Sequence, residues 1–195
     1  MASRAKLPVA SIAAGKVLHR VHGAGVQARW YGRKDASWRW DDPARGFGVL
    51  YLGKTLIGPF AETLLRSPHE RDVLWDRVQQ KRHATFTTTR SLKLAKLHGE
   101  GLAWFETTTA AIAADVGPAG AAGAYAAPQA IASLVHRDTE LDGVQYRSRF
   151  DNDELCIALF ERADPAIALK SQGDPIDKDW VKRTLAPRGY RLIEL

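Results

Sequence analysis

The sequence predicts an α/β protein of the α+β kind, a compact mixed β-sheet with flanking helices. Three observations carry this reading. Strand-like segments recur along the 195 residues, and two of them, LDGVQYRSRF and ELCIALFERA, are joined by FDND, a hairpin signal. Helical patterns separate only some of the strands, which disfavours the regular alternation of a doubly wound parallel sheet. The composition, 45% hydrophobic and 26% charged, is that of one soluble domain able to bury a core.

Residues 1 to about 15 are rich in Ala, Ser and Lys without a period, so they read as an N-terminal tail of low order, with a single domain over 16–195. KVLHRVH alternates Val17, His19 and Val21 against Leu18, Arg20 and His22, which predicts a first strand with an arginine on one face. The Gly-, Trp- and Arg-rich stretch that follows is an irregular excursion, with a short strand or turn at SWRW. VLYLG is the second strand, and a helix starts between Thr55, a credible cap, and Pro59. SPHE at 67–70 has the form of a capping box and predicts a second helix over about 68–82.

ATFTTTR is β-branched and aromatic, hence a strand, and SLKLAKL alternates Leu92 and Leu94. GLAWFETTTAAIAA fits strand or helix. GPAGAAGA reads as a flexible connection, followed by a helix with Pro128 near its start and Ile131, Leu134 and Val135 along one side. After the predicted hairpin come a short helix at DKDWVKRTLA and a last strand, YRLIEL.

The net charge of +6 and pI near 9.6 would suit an anionic partner. The densest basic stretch, RDVLWDRVQQKRH, interleaves Asp72 and Asp76, so it reads as a solvated helix face and direct nucleic-acid binding is not expected. No apolar run reaches the ~20 residues of a membrane span, and the start lacks a secretory pattern, so a cytoplasmic location is expected. The single cysteine, Cys156, lies inside LCIALF and reads as a core residue. Neither a Rossmann fingerprint nor a P-loop is present, and His19 and His22 point to opposite strand faces, which gives no metal-ligand spacing. There is no Gly-x-Ser-x-Gly elbow.

What remains is a set of polar residues at positions where the pattern asks for apolar ones. Arg20 shares a strand face with Leu18, and Arg39 lies between Trp38 and Trp40. Tyr51 sits inside an apolar strand. Ser148 falls on the face of Val144, Tyr146 and Phe150, where a hydroxyl needs a partner. Glu62 stands in the first turns of the helix after VLYLG. Each has a plain alternative: a structural salt bridge for the arginines, core packing for Tyr51, a carbonyl partner for Ser148. For Glu62 it is an i, i+4 pair with Arg66 worth roughly 0.3–0.5 kcal/mol. At ~100° per residue, Glu62 projects away from Phe60 and Leu64, so the helix can pack on the sheet while the carboxylate faces a cleft beside Tyr51.

The order HRVHG, WRW, VLYLG, AET, YAAPQAIASLV, GVQYRSRF and LCIALFE, from about Lys16 to about Phe160, resembles the RES domain family, named for its Arg, Glu and Ser. The family usually has small residues before the Arg-Trp and Asn after it; this chain has Ser37 and Trp38, then Asp41. The resemblance implies an ADP-ribosyltransferase-like fold and the toxin half of a bacterial toxin–antitoxin pair. It further implies that NAD is consumed as substrate by hydrolysis or phosphorolysis, with no cofactor required. Glu62 and Arg39 are then catalytic, and Arg20, Arg39, Tyr51 and Ser148 bind NAD. The expected partner is an antitoxin of the DNA-binding Xre-like type, and a homo-oligomer is left open. A protein ADP-ribosyltransferase is the alternative, and a catalytically inactive basic binding module is a second.

Overall fold

Alternation along the strands sorts apolar side chains onto two sheet faces, and the computed structural model, which describes residues 6–32, 34–67, 69–113 and 125–194, shows where they go. In chain order the elements are β1 (Val9–Ile12), β2 (Val17–Gly23), β3 (Val49–Gly53), α1 (Ile57–Leu64), β4 (Asp72–Leu74) and α2 (Trp75–Gln79). Then follow β5 (Lys81–Thr88), β6 (Leu92–Leu97), α3 (Glu100–Trp104), α4 (Thr109–Ile112) and α5 (Ala126–Asp138). The remainder comprises β7 (Gly143–Arg147), β8 (Leu155–Phe160), a 3-10 segment at Glu161–Ala166, β9 (Ile167–Pro175), α6 (Lys178–Leu185), a 3-10 turn at Ala186–Arg188 and β10 (Arg191–Ile193).

Eight strands form one sheet in the order β1-β6-β7-β8-β3-β2-β5-β9, with β6 and β7 parallel and the other neighbours antiparallel. This is the mixed sheet that the sequence predicts. In β3, Leu50 and Leu52 join one core cluster, while Val49 and Tyr51 join another on the opposite face. In β8 the same division puts Ile157 and Leu159 against Cys156, Ala158 and Phe160. A third cluster, around Phe60, Ala61, Val73, Val181 and Leu185, packs α1 and α6 together beside the sheet.

Three local expectations are corrected. The expected low-order tail contains β1, which pairs Val9–Ile12 antiparallel with Leu92–Ala95 of β6 and buries Ile12; residues 1–5 lie outside the described residues. A short Ala/Ser strand carries little intrinsic signal, so the edge of β6 supplies its order.

The helix expected over 68–82 is replaced by β4, the single-turn α2 and the start of β5. Asp72, Val73 and Leu74 pair in parallel with Arg191, Leu192 and Ile193, Val73 is buried, and Arg191 Nη2 lies 2.7 Å from Asp72 Oδ1. A cap signal of about 1 kcal/mol does not outweigh that long-range pairing.

Thr55 does not cap α1: its hydroxyl donates to the Glu154 carboxylate, and the helix begins after Leu56 without a side-chain cap. The connection expected at 117–124 lies outside the described residues. Among the described residues, no helix is long and apolar enough to cross a membrane.

Candidate active site

The site lies where the sheet splits. β2 and β3 share one registered pair, His19 with Gly53, whereas β2 pairs with β5 over its whole length. Beyond that pair the chains part, and Arg20 fills the gap: its Nη1 donates to the Tyr51 carbonyl at 3.3 Å, an acceptor that a continuous ladder would have used. Arg20 is buried, its Nε has no partner, and among the described residues it makes no ion pair. The plain salt-bridge reading therefore does not apply to it. Burial lowers its pKa from 12.5 to about 10, so the guanidinium stays charged at neutral pH.

On the other side of the gap, α1 is brought close because Gly53 ends β3. A Cβ there would stand 2.3 Å from Pro59 Cδ, so a side chain would push the helix away. This approach sets Glu62 over the cleft. Its Oε1 accepts from Ser148 Oγ at 2.7 Å and from the Arg149 backbone N–H at 3.0 Å. Its Oε2 has Arg39 Nη2 at 3.8 Å, beyond hydrogen-bond length, and so keeps lone pairs for a ligand. Arg39 is buried, lies 5.8 Å from the Tyr146 ring centre, and leaves its Nε unpartnered. The alternative pairing of Glu62 with Arg66 does not form; Arg66 lies instead 5.9 Å from the Trp38 ring centre.

Tyr51 presents its ring to the cleft but not a free hydroxyl. The phenol donates to Asp41 Oδ1 at 3.3 Å and accepts from the Trp40 backbone N–H at 3.0 Å. Burial, followed by the Asp41 charge, pushes its pKa well above 10.0. The hydroxyl is thus a lock on the Trp38–Asp41 loop.

The same loop is held from above by α5. Gln129 Nε2 donates to the carbonyls of Ala36 at 2.8 Å and Trp38 at 3.0 Å, and Ser133 Oγ donates to Asp42 Oδ1 at 2.8 Å. Sequence reasoning missed Asp41, Asp42, Gln129 and Ser133. The available signal was the acid pair in WRWDD together with polar residues four apart on one side of an otherwise apolar helix.

Arg20, Arg39, Tyr51 and Glu62 all line one cavity of about 300 Å³, with the buried Ser148 behind Glu62. An adjoining cavity of about 280 Å³ shares Arg39, Tyr146 and Arg149 and is lined by Ser148, so the Ser148–Glu62 hydrogen bond stands between the two. Cys156 lines the first cavity, but burial raises its thiol pKa well above 9.0, which removes the thiolate a nucleophile would need. Among the described residues, no group of three His, Cys, Asp or Glu side chains is placed to hold a metal. The cavity therefore brings together an anchored carboxylate and two guanidiniums, groups able to stabilise developing positive charge and to hold an anion, respectively.

Comparison with known proteins bears on the family and the fold. Residues 17–180 match the RES domain family. No curated protein matches the chain by sequence. Among solved structures, a chain of the M. tuberculosis MbcT–MbcA toxin–antitoxin complex has the same fold, with a TM-score of 0.63 and 15% identity over 90% of this chain and 92% of that one.

Proposed function

The chain belongs to the RES domain family, and on that premise we propose that it is the toxin enzyme of a toxin–antitoxin pair and cleaves the nicotinamide–ribose bond of NAD. One observation carries the reading most: Glu62, anchored through Oε1 by two donors, lines the same cavity as the guanidinium-bearing Arg20 and Arg39. The pyrophosphate is held by the guanidiniums of Arg20 and Arg39, whose planar forks match phosphate oxygens. Glu62 Oε2 stands beside the ribose of the labile bond.

As that bond breaks, its electron pair leaves with nicotinamide, whose ring nitrogen is positively charged at the start and needs no added proton. Positive charge moves to the ribose carbon, and a fixed carboxylate stabilises it, as in glycoside cleavage. Water or phosphate then bonds to that carbon from the opposite side; with water, a proton is released and ADP-ribose results. Ser148 acts through Glu62, and the Tyr51 ring face closes the cleft with its hydroxyl turned to Asp41. A partner antitoxin of the DNA-binding Xre-like type restrains the enzyme by covering the cleft.

The test is nicotinamide release from NAD by the purified protein. Wild type releases it, and Glu62→Gln lowers kcat by about a thousandfold. If wild type and Glu62→Gln alike leave NAD intact in vitro and in cells expressing them, the enzymatic reading is wrong. Restoration of growth by co-expressing the protein from the adjoining reading frame tests the partner.

A further inference from the structure

Among the described residues three large apolar side chains are exposed: Val9, Val17 and Trp38. Trp38 alone of these lines the cavity, and 44% of it is open to solvent, whereas its neighbour Trp40 is fully buried. The exposure does not come from a loose loop. The Trp38 backbone N–H donates to Asp41 Oδ2 at 3.0 Å, and its carbonyl accepts from Gln129 Nε2 at 3.0 Å. An indole whose backbone is fixed at the mouth of a cavity, with the Arg66 guanidinium near its ring, offers a surface for a flat ligand group.

Depth decides which group. The Glu62 side chain is 20% exposed and Tyr146 3%, so the carboxylate end is the inner one and Trp38 the outer. The bond to be broken lies beside the carboxylate; the far end of an elongated ligand reaches the mouth. Arg39, next to Trp38 in the chain, supplies positive charge between the two ends.

We propose that Trp38 is a stacking platform for the purine of the ligand, with Arg66 as its cationic support. This rests on the dinucleotide reading above and adds a recognition element for the half of the ligand that does not react. Stacking of a base on an aromatic side chain is tolerant of base identity, so Trp38 contributes affinity for an adenylate end more than discrimination among purines.

The experiment is calorimetric titration of the full chain, wild type, Trp38→Ala and Trp38→Phe, with two probes. ADP-ribose has the purine and lacks nicotinamide; nicotinamide mononucleotide has the reverse. The expected result is an ADP-ribose affinity about tenfold weaker in Trp38→Ala and largely retained in Trp38→Phe. Nicotinamide mononucleotide should bind within about twofold of wild type, at an unchanged melting temperature. Equal weakening for both probes, no weakening, or no binding of ADP-ribose at all overturns the proposal. Nicotinamide release from NAD, measured in parallel, separates the two readings. Release with a Trp38-independent ADP-ribose affinity sinks the platform alone; Trp38-dependent binding without release sinks the reaction alone.

Discussion

Arg20 carries a full positive charge into a site that is only 7% exposed, and among the described residues no carboxylate pairs with it. Its pKa therefore falls from 12.5 to about 10, which corresponds to roughly 3 kcal/mol of folding stability lost at neutral pH. The sign follows from the direction. Since the folded protein binds this proton less tightly than the unfolded chain, the loss is complete below about pH 10 and is relieved as pH rises from there towards 12.5. Replacing an uncompensated buried charge by an apolar group of similar shape stabilises a protein. Arg20→Met should be about 1–3 kcal/mol more stable than wild type, raising the melting temperature by several degrees. On the proposed reading, ADP-ribose should raise the melting temperature of wild type and not that of Arg20→Met. A lower melting temperature with ligand stabilisation intact would mean that Arg20 serves the fold.

Ser148 makes the complementary case. Its hydroxyl is one of the two donors that anchor Glu62 Oε1. Ser148→Ala should cut kcat for nicotinamide release roughly 10- to 100-fold with little change in KM, because the carboxylate is still present but less well held.

At the scale of elements, what was legible in the sequence is what local pattern decides. Alternation located β2 and the β7–β8 hairpin and an apolar run located β3, because each has a wholly buried side; the stripe Ile131, Leu134 and Val135 located α5, although its buried side runs through Pro128, Gln129, Ala132 and Val135, with Ile131 and Leu134 half-buried. β9 was missed: beyond Ile167 its residues are intermediate or exposed, so no apolar period marks it, and its order comes from pairing with β5. β1 and β4 fail for the same reason, being created by partners distant in sequence. At the site, Arg20, Arg39, Tyr51, Glu62 and Ser148 stood out as polar groups in apolar settings. Asp41 and Gln129 did not, since their roles depend on a loop whose path no local rule sets.

The β2–β5 seam has its own pH dependence. His19 Nδ1 and His83 Nε2 are 3.0 Å apart, and the rings stack at 5.2 Å. Burial lowers the pKa of both, and for His83 the neighbouring His19 adds to the effect. Their folded values lie below 6.5, so the unfolded chain takes up protons first: stability is fully present above about pH 6.5 and falls as pH drops below it. His19→Gln should flatten the slope of unfolding free energy against pH below about 6.5. Urea titrations at a series of pH values read this directly, and an unchanged slope would show that the pair is not responsible.

Across the whole molecule, the candidate site straddles two packing units. Tyr51, Tyr146 and Cys156 belong to the cluster under the sheet, while α1 is held through Phe60 and Ala61 in the cluster shared with α6. The Ser148–Glu62 hydrogen bond joins the two units. Trp180 packs edge-on against Phe60, with ring centres 5.2 Å apart, so α6 buttresses the side of α1 away from the cleft. Trp180→Ala removes this support without touching any cavity-lining residue. It should destabilise the protein by roughly 3 kcal/mol and allow α1 to open locally while the eight-stranded sheet stays folded. Hydrogen exchange should then show reduced protection of α1 amides with β3, β7 and β8 unaffected. Nicotinamide release should fall even at saturating NAD, because the position of the carboxylate is lost and not the affinity for the ligand. Uniform loss of protection across α1 and the sheet would instead mean that the two units unfold as one, and that Glu62 is positioned by global stability alone.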